Sequence, residues 1–174
     1  LYDRKYRGFF LGKYKLLGHL GTGGMSSVYL AEHRLMKQQR AIKVLPKSRV
    51  DDTSYLARFH REARATANLN HPNIVTLHDI AHDGGVDYLV MEYVPGDSLA
   101  KRITSKRLPL VEAIGYLIQI ASALSAAHAD NVTHRDLKPD NILMTPTDSS
   151  YPVRVIDWGI AHHMNGARYT HHDE

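Results

Sequence analysis

The sequence predicts an α+β fold in two parts: a β-rich first part with one main helix, then a mainly helical second part. Three observations carry this. Up to about residue 94, short β-like runs alternate with glycine-containing turns. One intervening stretch has helical rather than strand spacing. After "PGDSL" the twenty residues Leu110–Ala129 are apolar on more than one helical face, the pattern of a helix meant to be surrounded by protein.

In chain order, "YKLLGHLG" (14–21) and "SSVYLAEH" (26–33) read as strands joined by the glycine-rich "GTGGM". "QRAIKVL" (39–45) is a third strand, its apolar and β-branched residues flanking Lys43. "DDTSYLARFHREARATANL" reads as the main helix. Asp51, Asp52, Thr53 and Ser54 offer N-caps, and Leu56, Phe59, Ala63 and Thr66 follow at spacings of three and four. "HPNIV" breaks it, and "NIVTLHDIA" with "VDYLVMEYV" forms a hairpin around Asp83-Gly84-Gly85. Beyond the helix Leu110–Ala129, "NVTHRDLKPDN" is a polar loop, and "NILMT" with "PVRVIDW" forms a second hairpin. The expected organisation is an extension at 1–13, a first lobe at 14–93 and a second at 94–174, joined near Glu92 to Gly96.

Composition narrows the function classes. The 174 residues are 43% hydrophobic and 23% charged, the proportions of a globular rather than a disordered chain. With no cysteine there is neither a disulfide framework nor a thiolate zinc site, which fits a cytoplasmic location. No apolar run is read as reaching the roughly 20 residues that span a bilayer, so no membrane segment is expected. The net charge of +4 is concentrated in "LYDRKYRGFFLGKYK", where Arg4, Lys5, Arg7, Lys13 and Lys15 face one acid, Asp3. So short a basic stretch reads as a solvated extension, and no nucleic-acid partner is expected. His162, His163, His171 and His172 lack the carboxylate or cysteine spacing of a metal site. The chain begins at Leu1 rather than Met, and a fragment of a longer protein is expected.

Taken singly, most motifs stay ambiguous. Gly21, Gly23 and Gly24 let backbone amides approach a phosphate, yet many glycine-rich hairpins are only turns. Lys43 either meets a carboxylate or phosphate, or sits on an edge strand. Glu62 either faces the lobe interior or is exposed like most glutamates. "HRDLKPDN" is less equivocal. His134, Arg135, Asp136, Lys138 and Asn141 fall within eight residues, a density that marks a site.

Taken in order, the glycine-rich loop, "AIK", the helix glutamate, "HPNIV", "MEYVPGDSL", "HRDLKPDN" and "DWG" resemble the eukaryotic-type protein kinase family. "LGTGGMSSVYLAEH" and "FHREARA" are most similar to its bacterial Ser/Thr members, and Lys138 follows the Ser/Thr-directed loop. The resemblance implies a protein-kinase-like fold, β-rich N-lobe and incomplete helical C-lobe, with ATP and Mg²⁺ as cofactors. It implies that Leu20, Gly21, Thr22, Gly23, Gly24, Met25 and Ser26 cover the phosphates. Val28 and Ala41 would pack on adenine from one side and Leu143 from the other, with Met91 behind. The backbone of Glu92 and Val94 would bond the adenine edge, and Lys43, oriented by Glu62, would hold the α- and β-phosphates. Asp136 would accept the substrate proton, Lys138 would neutralise charge on the γ-phosphoryl group, and Asn141 and Asp157 would hold Mg²⁺. Arg135 would grip a phosphate on the following segment, where Thr170 is the only Ser or Thr after Asp157.

Three departures stand out. Ser26 replaces a glycine of the loop. Trp158 replaces the usual Phe of the metal-holding turn, and small Thr66 is read as its compensation. The sequence also ends seventeen residues after Asp157, so the resemblance implies truncation within the activation segment. Two functions follow. One is a Ser/Thr protein kinase acting on a protein hydroxyl, with doubtful activity in this chain. The other is a non-catalytic kinase-like module that binds nucleotide or a partner, with self-association through the uncovered face of Leu110–Ala129. A small-molecule phosphotransferase is disfavoured by Lys138.

Overall fold

The computed structural model describes residues 8–23, 26–45, 60, 63–64, 66–145, 150 and 152–158. The chain forms two compact units, residues 1–70 with 75–95 and residues 71–74 with 96–174.

The first unit is built on a six-stranded antiparallel sheet. Its strands are β1 (Phe10–Leu11), β2 (Tyr14–Gly23), β3 (Ser26–His33), β4 (Gln39–Val44), β5 (Leu77–Asp83) and β6 (Val86–Glu92). Their order is β1-β2-β3-β4-β6-β5. Side chains alternate between the two faces of a strand, so register decides which residues share a face. Tyr14, Leu16, Tyr29, Ala31, Ile42, Tyr88 and Val90 share one face and form its core. The turns are chemically specified. Gly84 and Gly85 both take positive φ, 57° and 73°, as a two-residue hairpin loop of the mirror-image type requires. His33 Nδ1 accepts from the amides of Leu35 and Met36, which closes the β3–β4 turn. Strand β1 lies within the stretch read as an extension; Phe10 and Leu11 pair with Lys15 and Tyr14. Of the main helix, the described residues 60, 63, 64, 66 and 67 are helical, and its remainder lies outside the described residues.

In the second unit, α1 (Leu99–Ser105) starts at Ser98, whose hydroxyl accepts from the Lys101 amide at 3.3 Å. Helix α2 (Leu110–Ala129) buries Tyr116, Ile120, Ala123 and Ala127, a stripe at spacings of four, three and four. It stops where Asn131 turns left-handed at φ 59°. The amides of Asn131 and Val132 then bond back to the carbonyls of His128 and Ala127, capping the helix end. Strands β7 (Ile142–Met144) and β8 (Val153–Val155) pair antiparallel. Asn73 knits this unit together. Its Nδ2 donates to Gln119 Oε1 at 2.8 Å and to the Val153 carbonyl at 2.9 Å, while its own carbonyl accepts from the Val155 amide.

One sequence expectation, that no apolar run approaches bilayer-spanning length, is corrected by α2. With mean hydropathy 1.5 over an 18-residue window, this 20-residue helix is long and apolar enough to cross a bilayer by length and composition. Its Gly, Tyr, Gln and Ser break the run visually without offsetting the Leu, Ile, Val and Ala between them. The same measure is met by core helices of soluble proteins. Polar ties also bind α2 to the rest of its unit: Gln119 to Asn73, Ser122 to His71, and Glu112 to Arg102.

Candidate active site

In the first unit, register gathers the predicted residues onto one face. Val28 pairs with Gly21 across β2–β3 and with Lys43 across β3–β4. Leu30 pairs with Gly18 and with Ala41, and Ala41 in turn with Met91. Directly paired residues lie on the same face. Gly18, Gly21, Gly23, Ser26, Val28, Ala41, Lys43 and Met91 therefore form one surface, opposite the apolar core. Lys43 is buried and Val28 and Met91 are half-buried. A Cβ added at Gly18 or Gly21 would meet nothing within 4 Å, so neither glycine is demanded by the chain's own packing. Leu20 falls at a register shift between His19 and Gly21, which sets it outside the pairing, 47% exposed. Thr22 pairs with Ser27 on the opposite face. The Glu92 amide donates to the Thr76 carbonyl at 2.9 Å, and Val94 is buried. Gly24, Met25 and Glu62 lie outside the described residues.

In the second unit, the loop after α2 holds a tight polar cluster. Lys138 Nζ donates to Asp136 Oδ2 at 2.9 Å. Asn141 Nδ2 donates to the Asp136 carbonyl at 2.8 Å and to Oδ2 at 3.1 Å. The hydrogen bond to Asp136, together with its charge, holds the Lys138 ammonium above its ordinary pKa. Pro139 opens the 3₁₀ turn Pro139–Asn141, which points Asn141 back at Asp136. The carbonyl of Asn141 accepts from the Ile156 amide at 3.0 Å, which docks the turn after β8 beside the loop.

His134 is the buried pivot of this arrangement. Its Nδ1 accepts from the Asp136 amide at 3.3 Å, and its Nε2 lies 2.9 Å from the Ile156 carbonyl. A carbonyl only accepts, so the proton resides on Nε2 and the ring is neutral. Burial lowers its pKa, partly offset by the bond to Ile156. Trp158 is 2% exposed and packs on His134 with ring centroids 4.9 Å apart. Its indole N–H donates to the Val155 carbonyl at 3.3 Å. Asp157, between these anchors, and Arg135 both take left-handed backbone, at φ 60° and 62°. Such conformations in residues other than glycine persist where surrounding contacts fix them, often at functional sites. Leu143, half-buried in β7, pairs with Arg154 and bridges to Ser98. Thr170 and the four late histidines lie outside the described residues.

The sequence profile of the protein kinase domain family matches residues 14–173. The chain belongs to this family. Among its relatives are the serine/threonine-protein kinase PrkC of Bacillus subtilis, 40% identical over 161 residues, and PknA of Mycobacterium tuberculosis, 41% identical over 167. These alignments cover 92% and 91% of this chain but 24% and 38% of those proteins. The chain thus spans about a quarter of PrkC. The crystal structure of the Mycobacterium tuberculosis PknI kinase domain superposes with a TM-score of 0.77 at 31% identity, over 89% of this chain and 63% of that one. The kinase fold is thereby established, with the α+β architecture expected of it.

Sequence reasoning assigned no role to Asn73, Gln119 or the backbone of Ile156. Each acts through partners distant in sequence, and no local pattern signals that.

Proposed function

We propose that this chain carries the ATP-handling and catalytic machinery of a Ser/Thr protein kinase, which transfers the γ-phosphoryl group of ATP to a Ser or Thr hydroxyl of a protein. The observation that carries the reading is the Asp136–Lys138–Asn141 cluster: a carboxylate held by a cation and a carboxamide in a loop fixed by a buried neutral histidine. ATP would supply the phosphoryl group, and Mg²⁺ bound with it would screen the phosphate charge. The donor set suits that ion. With Asn141 Nδ2 committed to Asp136, its Oδ1 and the Asp157 carboxylate offer the hard oxygens that Mg²⁺ accepts, with phosphate and water completing its shell.

Each remaining role rests on this chain's residues. Lys43 and the glycine face would hold the nucleotide phosphates, where missing side chains let the backbone approach. Thr22, Gly24, Met25 and the bulged Leu20 would complete the turn over them, and Glu62 would orient Lys43. Val28, Ala41, Met91 and Leu143 would contact the base. Because the Glu92 amide is already engaged, its carbonyl and the Val94 backbone are the groups assigned to the adenine edge. Asp136 would accept the hydroxyl proton as the oxygen bonds phosphorus and ADP departs. Lys138 would balance negative charge on the transferring oxygens, a matter of positioning and electrostatics rather than covalent help. A cytoplasmic site follows from the need for ATP.

Calorimetry with Mg-ATP tests this reading. Binding by the wild-type chain is expected, weakened at least tenfold by Lys43→Ala and by Asp157→Ala; a folded wild type that binds no ATP refutes it. The exposed apolar residues Leu110, Val111, Ile114, Leu117 and Ile118 on α2 support a second reading, a partner-binding or self-associating module. Asp136→Asn separates the two, because it would abolish phosphoryl transfer yet leave a binding module intact.

A further inference from the structure

On the face of the β2–β3 hairpin turned toward the assigned nucleotide surface, β2 contributes only Gly18, Gly21 and Gly23, without side chains, against Leu30, Val28 and Ser26 of β3. Side-chain bracing of this end of β2 comes from the opposite face. There the register shift between His19 and Gly21 sets His19 across from Tyr29, while Thr22 pairs with Ser27 on that same face. His19 Nε2 lies 2.9 Å from Thr22 Oγ1, and its ring meets Tyr29 edge-on with centroids 5.3 Å apart at 69°. Tyr29 is 4% exposed and belongs to the apolar core of the sheet. An unbroken link thus runs from core to hairpin tip: Tyr29, His19, Thr22.

We propose that His19 is a positioning residue for the glycine-rich turn, coupling Thr22 at the tip to the core through Tyr29 so that the phosphate-facing backbone is ordered before nucleotide arrives. Glycine backbone loses the most freedom on ordering, so a brace on the far face shifts that cost away from binding. The bulge is what makes this geometry available: it inserts Leu20 and brings residues 19 and 22 onto one face three positions apart. The proposal rests on the nucleotide-binding reading above.

The test uses amide hydrogen exchange on the nucleotide-free chain alongside Mg-ATP calorimetry. In His19→Ala and in Thr22→Val, exchange at residues 21–23 should rise about three- to tenfold, the range one modest hydrogen bond supplies. Core amides of Ile42 and Val90 should be unchanged, and ATP affinity should fall by a similar factor. His19→Gln, which keeps a hydrogen-bonding group within reach, should restore both. The double variant should be no worse than the stronger single one, because both residues serve one link. Unchanged exchange at residues 21–23, additive effects in the double variant, or an equal rise in the core overturns the brace. If the wild type binds no ATP, the nucleotide reading fails separately, and the exchange data still decide whether His19 orders the hairpin.

Discussion

Trp158 is the only tryptophan in the chain, so replacing it with phenylalanine is both a perturbation and a loss of signal that can be followed. Trp158→Phe keeps an aromatic ring against His134 but deletes the indole N–H that reaches the Val155 carbonyl. It also removes roughly 40 Å² of apolar surface at a 2% exposed position, worth about 1 kcal/mol at ~25 cal/mol/Å². The lost hydrogen bond adds about 1 kcal/mol. The sum, about 2 kcal/mol, corresponds to a melting temperature lower by roughly 4–8 °C for a chain of this size. Thermal unfolding followed by far-UV circular dichroism measures it without needing the indole. In the wild type, Trp158 emission should be blue-shifted when folded and move to the red on melting. A folded wild type with the emission of a water-exposed indole, or a phenylalanine variant melting within 1 °C of wild type, would refute the reasoning.

Further outcomes follow from the same contacts. His134 is neutral when folded and its pKa is lowered by burial, so below its ordinary value of 6.5 the unfolded chain binds more protons than the native one. Its contribution is complete above pH 6.5 and lost as pH falls; denaturant melts across pH should show a slope there that flattens in His134→Phe. Gly96 has φ 138°, and a Cβ would lie 1.9 Å from the Met144 carbonyl oxygen, so Gly96→Ala should cost more than about 3 kcal/mol. Gly84→Ala, strained only by its φ of 57° with nothing within 4 Å, should cost about 1–2 kcal/mol in the same melts. Asn73→Ala strips the Val153 carbonyl and Gln119 of a buried donor and should destabilise by about 2–4 kcal/mol in urea titration.

Strands β2, β3, β4 and β6 were legible as short apolar and β-branched runs bounded by turns, Lys43 standing between Ile42 and Val44. Which residues share a face was not, because Ala41–Lys43 and Asp87–Val90 are buried without alternation, and the pairing that aligns the faces lies across strands. The two-residue strand Phe10–Leu11 carries no period of its own and exists because Tyr14 and Lys15 offer it an edge. "HPNIV" looked like a helix breaker, whereas Asn73 is 2% exposed and its partners stand 46 and 80 residues away. The loop chemistry of Asp136, Lys138 and Asn141 was dense enough to stand out locally. The support from His134 to Ile156 was not, since it depends on a backbone oxygen any residue would supply. The extent of α2, Leu110–Ala129, was read correctly, but its hydropathy was underrated because scattered small and polar residues interrupt a sequence to the eye more than they lower its mean.

The opposed faces of β4 also bear on how this gene can change. Ile42 belongs to the core and Lys43 to the glycine-lined surface, yet they are adjacent codons. Loss of one codon upstream within the strand would move the lysine's ammonium into the core and the isoleucine onto the glycine-lined surface, a double chemical replacement from a single deletion. The turn at Arg34–Gln38 lies just before the strand and is largely exposed, so length changes there leave that alternation untouched. Insertions and deletions in descendants of this sequence should therefore accumulate in that turn and be purged from the six residues of Gln39–Val44.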